Sequence, residues 1–193
     1  MSMIIVKSVA ASLVSTVLET KYGPDLGEGS MGLPKLFGVS PVILTGLGFW
    51  VLMHGFLVVG PARGKYMKLA KEAGEKDVEE RYALPNIYAQ GTSPYAIAFN
   101  CIQRSHQHVF ETFPQMCIMS MIGAVHYPLT GALTLATYAI GRIAVSNCYA
   151  NANGDASKRY ASPFSIFMWY GYVATCFVSM ASSISFVVGK PVL

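Results

Sequence analysis

Four apolar stretches, each near the length that a bilayer demands, constrain this chain more than any other feature. They run from about Val42 to Gly60, Ala96 to Val125, Leu129 to Tyr149 and Pro163 to Val188. A helix rises about 1.5 Å per residue, so about 20 apolar residues cross a hydrocarbon core of about 30 Å. Backbone polar groups in that core must be satisfied internally, and isolated apolar runs can do so only as helices. Composition agrees. Hydrophobic residues make up 53% of the 193 and charged residues only 12%, about half the share of roughly 25% in a soluble domain. The expected fold is all-α and integral to a membrane: a four-transmembrane-helix up-down bundle over 41–193, behind an N-terminal arm over 1–40.

The arm is the least regular part. Met3–Leu18 is apolar but interrupted by Lys7, and on its own falls short of a comfortable span. It has no basic run ahead of an apolar core and no Arg, unlike secretory or organellar leaders. It is expected to be an interfacial helix or a docking segment.

Basic residues set the expected orientation. Loops 61–95 and 150–162 carry Arg63, Lys65, Lys68, Lys71, Lys76, Arg81, Lys158 and Arg159, whereas Lys7, Lys21, Lys35 and Lys190 fall on the other side. The positive-inside bias then turns loops 61–95 and 150–162 toward the cytoplasm, or the matrix of a mitochondrion. The net charge of +4 comes with no basic–aromatic groove pattern, so no nucleic-acid partner is expected. Residues 62–82 alternate Lys with Glu and read as a solvated helical extension. The four cysteines, 101, 117, 148 and 176, form no CxxC pair and read as free thiols near the spans.

Against this background, Phe99-Asn-Cys-Ile-Gln-Arg-Ser-His-Gln-His-Val-Phe-Glu-Thr-Phe-Pro114 stands out, with ionisable groups at the head of a membrane segment. Such groups are expensive in an apolar phase and mark a functional site by default. At about 100° per residue, Arg104, Gln107, His108, Glu111 and Gln115 share one helix face, and His106 points away. Arg104 and Glu111 form either an ion pair that fixes helix packing or a ligand contact. His106 and His108 diverge, so no metal site is expected. His54 and His126 read as packing residues, and Tyr149 as an interfacial aromatic or a ligand contact.

The same run resembles the second-helix signature of the MAPEG family, the membrane-associated proteins of eicosanoid and glutathione metabolism, and looks closest to the microsomal glutathione S-transferase 3 branch. That signature reads roughly Arg-Ala-His-x-Asn-x-x-Glu with a following Pro, matched here by Arg104, His106, Glu111 and Pro114. Ala62-Arg63-Gly64-Lys65-Tyr66 resembles the family's first-helix end. Gly141-Arg142, with Tyr149 seven residues after the Arg, resembles its third helix. The resemblance covers about residues 42–188. It implies a MAPEG-like four-helix protomer, usually a homotrimer, in an endoplasmic reticulum or mitochondrial membrane. It also implies glutathione as co-substrate, bound by Arg104, Gln107, His108, Glu111, Arg142 and Tyr149, and an Arg after the third helix that stabilises the thiolate. The candidates for that last role are Arg159 and Lys158.

Two positions depart from the pattern. His108 stands where the family has Asn, and Val145 where an aromatic or His is expected; Asn151–Ala156 adds a small insertion. Two function classes follow. One is a membrane glutathione transferase or peroxidase acting on lipophilic electrophiles or lipid hydroperoxides. The other is a catalytically impaired relative, an accessory subunit of a larger membrane complex. Membrane lipids are partners in either case.

Overall fold

The computed structural model describes residues 2–23 and 29–193; the remainder of the 1–40 arm, residues 1 and 24–28, lies outside the described residues. Among those described, the regular structure is helical throughout, with no strand. The helices are α1 (Ser2–Tyr22), α2 (Lys35–Glu72), α3 (Val78–Tyr82), α4 (Pro94–Gln107), α5 (Phe113–His126), α6 (Pro128–Ala150) and α7 (Phe167–Val188). Among the described residues, four stretches are long and apolar enough to cross a membrane: Ser2–Tyr22, Lys35–Glu72, Pro128–Ala150 and Pro163–Val188. The chain is an all-α integral membrane protein.

Two of the expected spans change. The first is longer than hydropathy suggested: α2 begins at Lys35, passes through one π-helical turn at Gly55–Val59 and continues to Glu72. There a Schellman motif ends it, with Glu75 N–H donating to Ala70 O at 3.0 Å and Gly74, at φ +75°, donating to Lys71 O at 2.9 Å. Residues 62–82 are therefore two helices, not one extension. The ion pairs are real: Lys68–Glu72 at 3.8 Å, and Lys71–Glu79 across the break.

The second span is not continuous. A 3-10 segment over His108–Glu111 separates α4 from α5, each 14 residues long. Pro114, the second residue of α5, has no N–H, and its ring would clash with the carbonyl four residues back. The residue before a proline is also driven from the α region. The helix therefore yields between His108 and Thr112, and restarts with Met116 N–H donating to Thr112 O at 3.0 Å.

The chain forms two compact units, interleaved in sequence: Met1–Leu47 with Thr112–Arg142 and Ile166–Leu193, and Gly48–Glu111 with Ile143–Ser165. In the first unit, α7 is packed by α1 and α5. Small residues allow close approach of backbones: a Cβ at Gly141 would overlap the backbone of Phe167 and Met168, and one at Gly171 would overlap Tyr138. Helix α1, 21 residues long, reaches the length of a span that the apolar run alone did not. It buries Ser8, Ser12 and Thr16, an i, i+4, i+8 seam of small hydroxyl residues, and leaves Met3, Val6, Val14 and Leu18 exposed. Membrane helices pair through such small-residue seams. Its far end is fixed by Glu19, whose two carboxylate oxygens accept from Leu129 N–H at 2.7 Å and Thr130 N–H at 2.8 Å. These are orphan donors in the first turn of α6. Lys7 lies at the opposite end of α1, among residues that include Phe167 and Tyr170. That is the N-terminal end of α7.

In the second unit, α2, α3 and α4 surround a core that includes Tyr66, Val78, Tyr82, Phe99 and Ile102. His54 and His106 are packing residues on this seam. His54 Nε2 lies 2.8 Å from Ser105 Oγ, and its ring stacks on Trp50 at 5.0 Å. A Cβ at Gly55 would come to 3.0 Å from His106 Nε2, so the two helices approach closely here. His126, in the first unit, likewise pairs through Nδ1 with Ser182 Oγ at 2.9 Å.

Candidate functional site

The site lies in the second unit and starts from how α4 is anchored. Ser93 is its N-cap, accepting from Ala96 N–H at 3.2 Å, and Pro94 fills the first turn, where no N–H is needed. One turn on, Asn100 makes a reciprocal pair with Ala89, donating to its carbonyl at 3.0 Å and accepting from its N–H at 2.8 Å. Arg81 donates to Gln90 O at 2.8 Å, Glu75 at 2.7 Å and Ser93 Oγ at 3.2 Å. Arg63 donates to the carbonyls of Tyr82 and Asn86, both at 2.8 Å, and sits over the Phe99 ring. Three side chains thus hold the 83–93 loop against α4, and that loop carries Tyr88.

At the end of α4 the 3-10 segment shapes the polar stripe. Arg104 pairs with Glu111, seven residues apart and across the helix break. Their side chains are 41% and 53% exposed, so the pair is open at the surface of this unit. The Tyr88 phenol is within electrostatic range of Arg104. His108 is buried; its Nδ1 lies 3.0 Å from Arg104 O. A carbonyl can only accept, so that nitrogen carries the hydrogen. The His108 ring is 5.8 Å from the ring of Tyr149. Tyr149 in turn is within electrostatic range of Cys101, Arg159, Arg104 and Tyr88. Gln107 ends α4, half-buried, whereas Gln115 lies beyond the break on α5.

The two cations after α6 differ in their surroundings. The 151–156 stretch turns through Asn153 at φ +48° and Gly154 at φ +89°. It packs on α4, where a Cβ at Gly154 would meet Ile97 at 3.3 Å. Asp155 then accepts from Ser157 Oγ at 2.6 Å and its N–H at 3.1 Å, and these bonds hold its carboxyl below the usual range. Lys158 stands 3.8 Å from that carboxylate. Arg159 is exposed, lies over the Tyr160 ring, donates to Ala156 O at 3.2 Å and reaches Tyr149 electrostatically.

Arg142 is 2% exposed and belongs to the first unit, where its guanidinium donates to Thr112 Oγ1, to Met168 Sδ at 3.0 Å and to Tyr138 Oη at 3.4 Å. Tyr138 and Thr112 also bond each other at 2.6 Å. Val145 is buried. Sequence reasoning missed Tyr88 and Asn100, whose significance depends on partners eleven or more residues away. The four cysteines are unpaired, and among the described residues no three His, Cys, Asp or Glu side chains cluster.

Arg104, His108, Glu111 and Tyr149 thus converge, with Arg159 in electrostatic range. The model of the MAPEG family matches residues 40–182, which takes in this whole cluster and leaves only α1 and the chain ends outside. No solved structure matches the chain. A family match of that extent over an all-α membrane fold identifies the chain as a member of the MAPEG family.

Proposed function

We propose that this protein binds glutathione at the Arg104–Glu111 pair and uses its thiolate against lipophilic electrophiles or lipid hydroperoxides. The family in general is one of membrane glutathione transferase and eicosanoid-type activities. The observation that carries the reading to these residues is the exposure of the pair. Glutathione presents an ammonium and two carboxylates. Arg104 suits a carboxylate, bidentate and always charged, and Glu111 suits the ammonium. A half-exposed ion pair is worth at most about 1 kcal/mol, so exchanging it for ligand contacts costs little.

Tyr149 and Tyr88 then offer hydroxyls to the tripeptide, and Arg159 supplies positive potential for the sulfur. A thiol with a normal pKa near 8.5 ionises more readily beside a cation, and the thiolate is the nucleophile. In transfer, the sulfur forms a C–S bond as the leaving group departs with its electron pair. In peroxide reduction, the sulfur attacks the hydroperoxide, the O–O bond breaks and the alkoxide leaves as the alcohol. A second glutathione converts the resulting sulfenic acid to disulfide and water. Lys158, held near Asp155, plays no part in this scheme. We assign the chain to the microsomal glutathione S-transferase 3 branch, as a homotrimer in the endoplasmic reticulum or mitochondrial membrane. Loops 61–95 and 150–162 face the cytoplasm or matrix.

The test is turnover by the purified protein in detergent with glutathione, an aryl halide and a fatty-acid hydroperoxide. Wild type should turn over at least one, and Arg159→Leu should lose turnover while keeping glutathione affinity; equal turnover by the two would refute the role of Arg159. A second reading is favoured by His108, buried at the family's Asn position, and by the apolar Val145. It makes the chain an accessory subunit of a larger membrane complex. Native migration only within a large assembly, with no glutathione binding, would favour it.

A further inference from the structure

Helix α1 lies outside the family match, and it creates a feature that the proposed glutathione chemistry does not use. Between α1, α6 and α7 of the first unit is a cavity of about 290 Å³, whose walls include Lys7, Ser8, Ser12, Ser15, Leu133 and Tyr170. A second cavity of about 260 Å³ continues along α1 past Leu18 and Glu19 to Tyr22. The two share Ser15 and Leu133 in their walls, so they adjoin and together trace a track along α1. From Lys7 to Tyr22 the track follows four turns of helix, about 22 Å at 1.5 Å per residue. One leaflet of a hydrocarbon core is about 15 Å deep.

The ends of the track differ. The first cavity has one charged residue in its wall, Lys7, and no carboxylate. Lys7 is exposed and sits in the second turn of α1, where a lysine extends its ammonium to the membrane surface. Beside it, Ser8 is 2% exposed and its Oγ has no hydrogen-bond partner. A buried hydroxyl without a partner is costly, and Ser8 is among the residues that line this cavity, where a ligand headgroup offers one. At the opposite end Glu19 is committed to the α6 N-terminus, so a negative head is excluded there and the track has a direction.

We infer that this track is a binding site for a single-chain anionic amphiphile, its carboxylate or phosphate head at Lys7 and Ser8 and its acyl chain along α1 toward Tyr22. A second helix is a poor occupant because the two cavities hold only about 290 and 260 Å³. A neutral acyl chain alone would leave Lys7 and Ser8 without a partner.

The probe is a long-chain fatty acid bearing a diazirine on its chain, added to the full-length protein in phosphatidylcholine nanodiscs. Photolabelling should fall on α1 and α6 peptides. The matching methyl ester should bind about fivefold more weakly, as should the acid to Lys7→Gln, since a lysine near a membrane surface is worth about 1 kcal/mol toward an anion. Ala11→Phe, at an exposed position lining the first cavity, should abolish labelling of α1 by acid and ester alike. If that variant misfolds, Leu133→Trp blocks the shared segment from another exposed position. Competition by a lysophosphatidic acid or by the unlabelled fatty acid tells which head is preferred, and either one supports the site. Equal labelling by acid and ester, or undiminished α1 labelling in the filled variant, would overturn the inference.

Discussion

Replacing Glu19 tests whether α1 is an integral part of the protein or an appendage. Its carboxylate accepts from Leu129 and Thr130 N–H at 2.7 and 2.8 Å, and Pro128 at the head of α6 has no N–H to offer. Capping one orphan donor contributes about 1 kcal/mol. A negative charge at a helix N-terminus adds about 0.3–1 kcal/mol. With two donors capped, Glu19→Ala should cost about 2–3 kcal/mol. Glu19→Gln keeps one oxygen acceptor and loses the charge, so it should cost about half as much. For a chain of this size 1 kcal/mol shifts Tm by about 2–4 °C. Thermal unfolding in a mild detergent should therefore fall by about 4–12 °C for the Ala variant and about half that for Gln. Trypsin should also cut at Lys21 sooner in the Ala variant. A Tm within about 1 °C of wild type, or equal losses for Ala and Gln, would refute the cap.

Other consequences follow from the packing. Gly141→Ala places a methyl group against the backbone of Phe167 and Met168; because backbone cannot move aside like a flexible side chain, a loss of about 2–4 kcal/mol in unfolding free energy is expected. Arg81→Ala removes the bonds to Gln90, Glu75 and Ser93, and hydrogen exchange at 88–93 should speed up at least tenfold while α2 stays protected. Lys158→Leu, unlike Arg159→Leu, should leave turnover within about twofold of wild type, since Lys158 stands beside Asp155.

How far the sequence predicts this molecule depends on which interactions are local. The third and fourth spans were legible nearly to the residue because hydropathy is a local sum. The Arg104–Glu111 juxtaposition was legible too. Seven residues make about two helical turns, and the 3-10 interruption changes the winding without separating the pair. The interruption was missed although Pro114 announces it, because the apolar run hides a local backbone constraint. Helix α1 was underestimated for a different reason. Its buried face is Ser8, Ser12 and Thr16 and its apolar residues face outward, so the face that packs contributes little hydropathy. The place of Arg142 in the family pattern suggested a ligand role, and its surroundings here are Thr112, Tyr138 and Met168. Tyr88 comes within electrostatic range of Arg104 on a loop that Arg63, Arg81 and Asn100 hold, and no spacing rule encodes that.

The most direct test of the central claim is a glutathione titration of the purified protein, following bound tripeptide and the ultraviolet absorbance of its thiolate. Wild type should bind and show the thiolate band. Arg104→Ala should weaken binding at least about 30-fold, the loss expected when a charge-assisted bidentate contact worth about 2 kcal/mol is removed. Unchanged affinity in Arg104→Ala, or an intact wild-type protein that binds no glutathione, would contradict the assignment of this site.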